Sequence, residues 1–488
     1  MSRFGDSMHL VFGALLCLAL VLRVAGDEGA EVAGHWEGAI EVPRTPLGVK
    51  VDLRPSEGAW AGTIDIPLQG AMGLALEAIV VDGTKVSFRI AGIPGAPTFD
   101  GRLEGRQLKG TFRQSGASFP FQLGREVQAA PNRPQDPRPP FPYRSEEVSY
   151  PGPAGTLAGT LTLPRDRKPI AAVLLISGSG PQNRNGEIFE HRPFAVLADH
   201  LSRKGIAVLR VDDRGVGKSQ GSFVGSTSLD FAEDARAGLD FLRQREDLPS
   251  DRIGLFGHSE GGLIAPLLAA EDPGVAFLVL VAAPAVTGRE VLSRQRQLIS
   301  RSSGEKQEEI ERREAVFDEL LSLVLSDPGS RSPEEAAHRR DRMLELAHRA
   351  LGTGATEERR QAGQEQAEAL LAQLQDPWFR FFLAHDPAPA LSRVQVPVLA
   401  LYGSKDLQVD PEQNQSRLEA ALRRGGDEEV EVVRIEGLNH LMQTAGTGHP
   451  SEYWALEETF SPAALERISS WILQRFPEPP ATEGESSP

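Results

Sequence analysis

Cysteine is almost missing: the 488-residue chain has one, Cys17, inside the apolar run at residues 10–22. Removal of that run would leave none, which excludes disulfides, thiol catalysis and cysteine-ligated zinc from the mature protein. Leu15 and Leu16 precede Cys17 where a lipoprotein site carries a small residue, so lipidation is not expected. Basic side chains are also in deficit, 52 Lys and Arg against 68 Asp and Glu, for a formal net charge of -16. Nucleic-acid affinity comes largely from cations neutralising phosphates, so DNA and RNA are excluded as principal partners, and the acidic excess reads as solvated surface. The run at 10–22 also falls short of the ~20 apolar residues that span a bilayer. Arg3 before it and Val24, Ala25 and Gly26 after it complete the pattern of a secretory signal over residues 1–26. Cleavage after Gly26 is expected, giving a secreted or periplasmic protein with no stable membrane span.

What is plentiful is turn-forming residue, 49 Gly and 36 Pro, against an ordinary 40% hydrophobic and 25% charged content. The length predicts two ordered domains plus connecting segments. Residues 30–127 read as short strands broken by Gly and Pro, with alternation in "VKVDLRP", "TKVSFRI" and "LKGTFRQ". Trp36-x-Gly38-x-Ile40 recurs as Trp60-x-Gly62-x-Ile64, and the period of two puts all three on one strand face. A small antiparallel barrel or sandwich is expected there, its tryptophans filling the core. Residues 128–145 hold Pro131, Pro134, Pro137, Pro139, Pro140 and Pro142, predicting an extended, semi-rigid linker. Residues 477–488 offer little to bury and predict a disordered tail.

Over 146–476 the pattern changes to continuous apolar runs alternating with helical segments: "AAVLLIS", "IAVLRVD", "RIGLFGH", "VAFLVLVAA", "VPVLALYG" and "VEVVRIE". Strands need apolar residues on both faces when helices cover both sides of the sheet, so an α/β, mostly parallel, doubly wound sheet is predicted. Residues 286–391 contain no strand candidate but charged amphipathic segments. They predict a helical cap inserted above the carboxyl ends of the strands, where α/β proteins bind ligands.

The chemistry is carried by three loops. Gly257-His258-Ser259-Glu260-Gly261 follows one of these strands and precedes the helical "LIAPLLAA". The bare G-x-S-x-G pattern is weak, but its strand-turn-helix setting is that of a nucleophile elbow, whose strained turn demands small flanking residues. A serine hydroxyl needs a base, and the base an orienting carboxylate. Asp406 leaves the strand "VPVLALYG" and His440 leaves "VEVVRIE", giving the order Ser, acid, His. Asp410, beside Pro411, is the rival acid and reads as a turn carboxylate; His258 reads as a packed elbow residue and His449 as surface. The Ser177-Gly178-Ser179-Gly180 turn offers the Ser179 N–H as one oxyanion donor, with the Glu260 N–H as the second. Gly217-Lys218-Ser219 ends like a phosphate-binding loop, but Asp212 stands where the first glycine is required. Arg214, in the same turn, reads as a structural hydrogen-bonding residue rather than a ligand for a substrate carboxylate.

Taken together, "SGSGPQNRNG", "RVDDRGVGKS", "GHSEGG", "DPWFRFFLAHDP", "YGSKDLQV" and "GLNHLMQ" resemble, in order, the signature segments of EstD-like bacterial carboxylesterases of the α/β-hydrolase superfamily. The resemblance covers most of the chain after the signal and implies an N-terminal β domain joined to a hydrolase domain, with Ser259, Asp406 and His440 as triad. The first segment in such enzymes often carries aspartates where this chain has Asn183 and Asn185. Trp378, Phe379 and Phe382, at the end of the cap, are expected to wall a pocket for short to medium acyl chains of small soluble esters. No metal or organic cofactor is required. The motifs fix acyl transfer but not the leaving group, so a serine peptidase or thioesterase with the same triad stays open. From another class stays a non-catalytic protein binding an envelope polymer on a hydrolase scaffold. The oligomeric state is not legible.

Overall fold

A computed structural model describes residues 31–42, 47–56, 59–66, 71–93, 95–114, 117–125, 132–326, 332–351, 357–426 and 429–477. The signal expected at 1–26 and all but the first residue of the expected tail lie outside them. The chain divides into two compact units, Met1–Gln128 and Ala129–Pro488.

The first unit is a closed antiparallel barrel of eight strands. They are β1 (Gly34–Ile40), β2 (Leu47–Ser56), β3 (Ala59–Ile66), β4 (Ala71–Asp82), β5 (Lys85–Ile90), β6 (Thr98–Glu104), β7 (Gln107–Gln114) and β8 (Ala117–Gly124). Alternation fills its interior: Val49, Val51 and Leu53 of β2 and Val86, Phe88 and Ile90 of β5 point inward. Gly38 on β1 pairs with Leu123 on β8 and helps close the barrel. A Cβ on Gly38 would stand 1.9 Å from the Gln122 carbonyl oxygen, and one on Gly62 2.4 Å from that of Asp52. The glycines of the repeated motif are therefore places where the next strand comes too close for a side chain. Trp36 is fully buried, donating Nε1–H to the Val32 carbonyl at 2.9 Å, whereas Trp60 is only half-buried at the edge of the core.

The second unit opens with a hairpin, β9 (Tyr143–Gly152) and β10 (Gly155–Pro164), then β11 (Ala171–Ile176), α1 (Pro193–Arg203), β12 (Ile206–Val211), α2 (Ser228–Arg243), β13 (Ile253–His258), α3 (Gly261–Ala269) and β14 (Leu278–Val281). The cap follows as α4 (Gly288–Ser302), α5 (Gln307–Leu325), α6 (Pro333–Leu351), α7 (Glu357–Gln375), α8 (Pro377–Ala384) and α9 (Ala388–Leu391). The chain returns through β15 (Val398–Gly403), α10 (Pro411–Arg424), β16 (Val430–Ile435) and α11 (Pro462–Arg475). The sheet order is β16-β15-β14-β13-β11-β12-β10-β9, parallel from β16 to β12 and antiparallel through β10 and β9. This is the α/β-hydrolase arrangement, with the cap inserted between β14 and β15.

Continuous apolar strands follow from two buried faces: along β11, Ala172, Leu174 and Ile176 enter one core, while Ala171, Val173 and Leu175 enter the other. The cap has its own core, in which Phe317, Leu320, Leu346, Leu371 and Leu383 meet.

The linker expected over 128–145 needs correction. β9 already begins at Tyr143. Residues 132–142 form neither helix nor strand but are tied to the rest of the second unit: Arg133 donates to the carbonyls of Phe189, Trp454 and Leu456, and Gln135 to that of Phe460. Proline density removes ladder and helix hydrogen bonds, but it does not stop the side chains between the prolines from docking.

Candidate active site

Ser259 sits between the end of β13 and the start of α3 at φ +54°, a left-handed conformation that costs a non-glycine residue roughly 1–3 kcal/mol. The turn holds it there: its amide donates to the Val281 carbonyl at 2.9 Å, and its carbonyl accepts from the Gly262 amide at 2.8 Å. Crowding explains the flanking glycines. A Cβ on Gly257 would lie 2.1 Å from the Gly261 carbonyl oxygen, and one on Gly262 2.4 Å from the Ala283 Cβ.

Asp406 and His440 leave the ends of β15 and β16, adjacent parallel strands. His440 Nδ1 lies 2.9 Å from Asp406 Oδ2. The other carboxylate oxygen accepts from the amides of Gln408 at 2.8 Å and Val409 at 2.9 Å. Both side chains are buried, so the bond to Asp406 favours the tautomer with the proton on Nδ1 and leaves Nε2 unprotonated. His440 and Ser259 line one cavity. Among the described residues the Ser259 hydroxyl makes no hydrogen bond to the imidazole; catalytic hydrogen bonds commonly tighten only when substrate is bound.

The competing residues are engaged elsewhere. Asp410 caps α10 by accepting from the Glu412 amide and takes Arg294 Nε at 2.6 Å. His449 caps the short 3-10 helix Pro450–Ala455 through the Ser451 amide. Arg214 binds both oxygens of Asp234, at 2.6 and 2.9 Å, and the Asp230 carbonyl at 2.7 Å. Lys218 projects outward and pairs with Glu147. Asn183 accepts from the amides of Asn185 and Glu187, and Asn185 accepts from Arg210. His258 donates from Nε2 to the His440 carbonyl at 2.9 Å. Its ring reaches the cavity, but the protein packed around it desolvates it and His440 lies beside it, which pushes its pKa down to about 4 and keeps it neutral.

The loop after β11 comes up against the elbow: a Cβ on Gly178 would stand 3.2 Å from the Ser259 Cβ. Ser179 and Glu260 line the same cavity as Ser259. The Glu260 side chain, for which sequence reasoning had no role, is buried and accepts at Oε1 from Ser228 Oγ at 2.6 Å and from Trp378 Nε1 at 2.7 Å. Burial raises its pKa, opposed by these donors and the Ser179 hydroxyl. It thereby ties α8 of the cap to the elbow.

That cavity has about 270 Å³ of room for solvent. Trp378, Phe379 and Phe382 of α8 line it with Val291, Leu292 and Leu441, and Trp378 stacks on Phe382 at 5.5 Å between ring centres. Asp376 starts this helix by accepting from the Trp378 amide, with Pro377 in the first turn. Phe381 instead stacks on His385. Three uncharged amides, Gln182, Gln295 and Gln408, supply polar lining that no spacing in the sequence could mark, because they come from a loop, the cap and the acid loop.

Residues 185–374 match the family model described as serine aminopeptidase, S33, a span that includes Ser259 and stops before Asp406. Esterase EstD of Thermotoga maritima is 25% identical over 327 residues, 65% of this chain and 66% of its own length; the match thus spans slightly less than two-thirds of that relative. Among solved structures, Pyrococcus furiosus esterase Pf2001 aligns over 72% of this chain and 99% of its own at 15% identity and a TM-score of 0.40. The α/β hydrolase GrgF from Penicillium aligns over 68% and 99% at 17% identity and a TM-score of 0.42. The chain is similar to serine hydrolases and esterases and has the α/β-hydrolase fold.

Proposed function

We propose that the protein is an exported serine carboxylesterase in which Ser259 is the nucleophile, His440 the base and Asp406 the carboxylate that orients it. The observation that carries this reading is the Asp406–His440 pair, bonded at 2.9 Å, lining one cavity with a serine held at φ +54°. In the proposed reaction, Ser259 Oγ attacks the ester carbonyl carbon as its proton passes to His440 Nε2. The carbonyl oxygen gains the negative charge and receives the N–H groups of Ser179 and Glu260. The carbon–alkoxy bond then breaks, and the proton on His440 goes to the leaving alcohol. Water, deprotonated by His440, attacks the acyl-enzyme and releases the acid and Ser259. Asp406 keeps its negative charge throughout, stabilising the imidazolium.

The cavity wall favours an uncharged substrate of short to medium acyl length. Apolar side chains from the cap (Val291, Leu292, Trp378, Phe379 and Phe382) and from the loops carrying Val409 and Leu441 face it, and uncharged glutamine amides and serine hydroxyls make up much of its polar lining. The family match favours a second reading, cleavage of an amide next to a free amino terminus. A protonated α-amine needs a carboxylate. Glu260, the carboxylate in this lining, is already committed to Ser228 and Trp378, which weighs toward esters. Purified protein assayed on p-nitrophenyl esters of increasing acyl length, aminoacyl anilides and acyl thioesters tests this. We expect highest kcat/KM on C2 to C8 esters; preference for anilides or thioesters would overturn the ester assignment. Export is tested by the mature N-terminus, expected at Asp27.

A further inference from the structure

The two aspartates that follow β12 grip the loop that follows β11. Asp213 Oδ1 accepts from Ser177 Oγ at 2.9 Å, its Oδ2 accepts from the Gln182 amide at 2.8 Å, and its own amide donates to the Gln182 carbonyl at 3.1 Å. Asp212 takes the next residues, accepting from the Arg184 amide at 2.8 Å and from its guanidinium at 3.0 and 2.7 Å. Asp213 therefore holds both ends of 177–182, while the middle of that segment turns at Gly180, φ +90°, and carries Gly178 against Ser259.

We propose that Asp213 is a positioning residue for the reaction, clamping the 177–182 segment so that its backbone N–H groups stay aimed at the oxyanion. This rests on the acyl-transfer reading above. Preorganised donors stabilise developing charge because they need no reorientation when it appears, and a loop fastened at both ends by one side chain meets that condition.

The location of Asp213 is unfavourable for a merely structural carboxylate. It borders a second cavity of about 50 Å³ behind the loop, where Asp234 and Glu260 also face. Part of its surface reaches that space, yet the surrounding protein desolvates it, and with Glu260 and Asp234 nearby its pKa is pushed up to about 7 against the pull of the Gln182 and Ser177 donors. Arg214 does not relieve it, being bound to Asp234. A carboxyl whose pKa is shifted this far by burial and neighbouring acids, at the edge of a cavity, is a mark of functional placement.

The test compares Asp213→Ala, Asp213→Asn and, as a control facing the same cavity, Asp234→Asn. Asp213→Ala is expected to lower kcat roughly 10- to 100-fold with KM nearly unchanged, less than the loss of a whole oxyanion donor. Asparagine keeps an acceptor for the Gln182 amide and gives Ser177 Oγ a donor, so it is expected to restore most of kcat. Asp234→Asn is expected to alter stability and leave kcat near wild type. A rise in KM with kcat unchanged, or equal kcat losses in Asp213→Asn and Asp213→Ala, would overturn the proposal. Hydrogen exchange over 177–182 separates this from the activity assignment. Faster exchange in Asp213→Ala than in wild type is expected even if no ester is hydrolysed, and unchanged exchange would refute the clamp.

Discussion

Arg294, on the first cap helix, donates its Nε to Asp410 Oδ2 at 2.6 Å, which commits the rival carboxylate to the cap, whereas His440 Nδ1 pairs with Asp406 at 2.9 Å. The two acids should therefore separate by experiment. Asp406→Asn is expected to lower kcat by about 10⁴, since an amide no longer fixes the tautomer or stabilises the imidazolium. Asp410→Ala removes a helix cap and an ion-pair partner, so about 1–2 kcal/mol of stability should be lost, with kcat close to wild type. Steady-state kinetics and thermal unfolding of both variants check this.

The Glu260–Trp378 bond gives a test of how the cap is held. Trp378→Phe keeps an aromatic ring against Phe382 but removes the N–H from a buried carboxyl, which then keeps only the Ser228 and Ser179 hydroxyls as donors. A loss of about 1–3 kcal/mol is expected, with a change in KM because the indole lines the cavity. Chemical denaturation together with KM for a short-chain ester measures both.

Gly262→Ala should damage the elbow from behind. The added methyl would meet the Ala283 Cβ at 2.4 Å, and backbone on both sides has to shift. Overpacking of this kind costs about 1–3 kcal/mol, and the displaced Ser259 should lose kcat as well. A variant with wild-type melting temperature and kcat would contradict the crowding described here.

Acid sensitivity can be assigned to particular groups. Burial holds His191 at about 4, against its 6.5 in an unfolded chain. Between those values the unfolded state binds the proton and the folded state does not, so its contribution to stability is full above 6.5 and is lost as pH falls toward 4. Asp213 has the opposite sign: raised from 3.8 to about 7, it favours the folded state below about 4 and ceases to as pH rises through 7. His191→Gln should therefore show a shallower loss of stability from pH 7 to 5 than wild type. Asp213→Asn should gain more stability over wild type at pH 8 than at pH 4. Urea midpoints across that range decide both.

Much of the hydrolase unit was legible because its central strands are buried on both faces and read as continuous apolar runs. β9 and β10 escaped, since β9 is an edge strand with mostly polar, exposed residues set among prolines. In the barrel the alternation marks strands but not closure, which depends on the long-range pairing of β1 with β8. The elbow turn and the Asp406–His440 pair could be anticipated because Ser259, Asp406 and His440 each follow within a few residues of a strand end. The Glu260 side chain and Asp213 could not, because their partners lie 118 and 36 residues away in sequence, and spacing along the chain does not encode such meetings. Asp213 did carry a signal, an acidic doublet at the end of an apolar strand, but a turn carboxylate is the ordinary reading of that pattern.

The central claim is that Ser259 is the activated nucleophile. Incubation of the mature protein with a fluorophosphonate, followed by intact-mass analysis and peptide mapping, tests it without knowledge of the natural ester. One adduct on the peptide containing Ser259 is expected, with parallel loss of esterase activity. Ser259→Ala should take up no reagent and show kcat lower by a factor on the order of 10⁴ to 10⁶. Folded wild-type protein that hydrolyses esters yet is labelled elsewhere, or a Ser259→Ala variant that keeps its activity, would contradict the account.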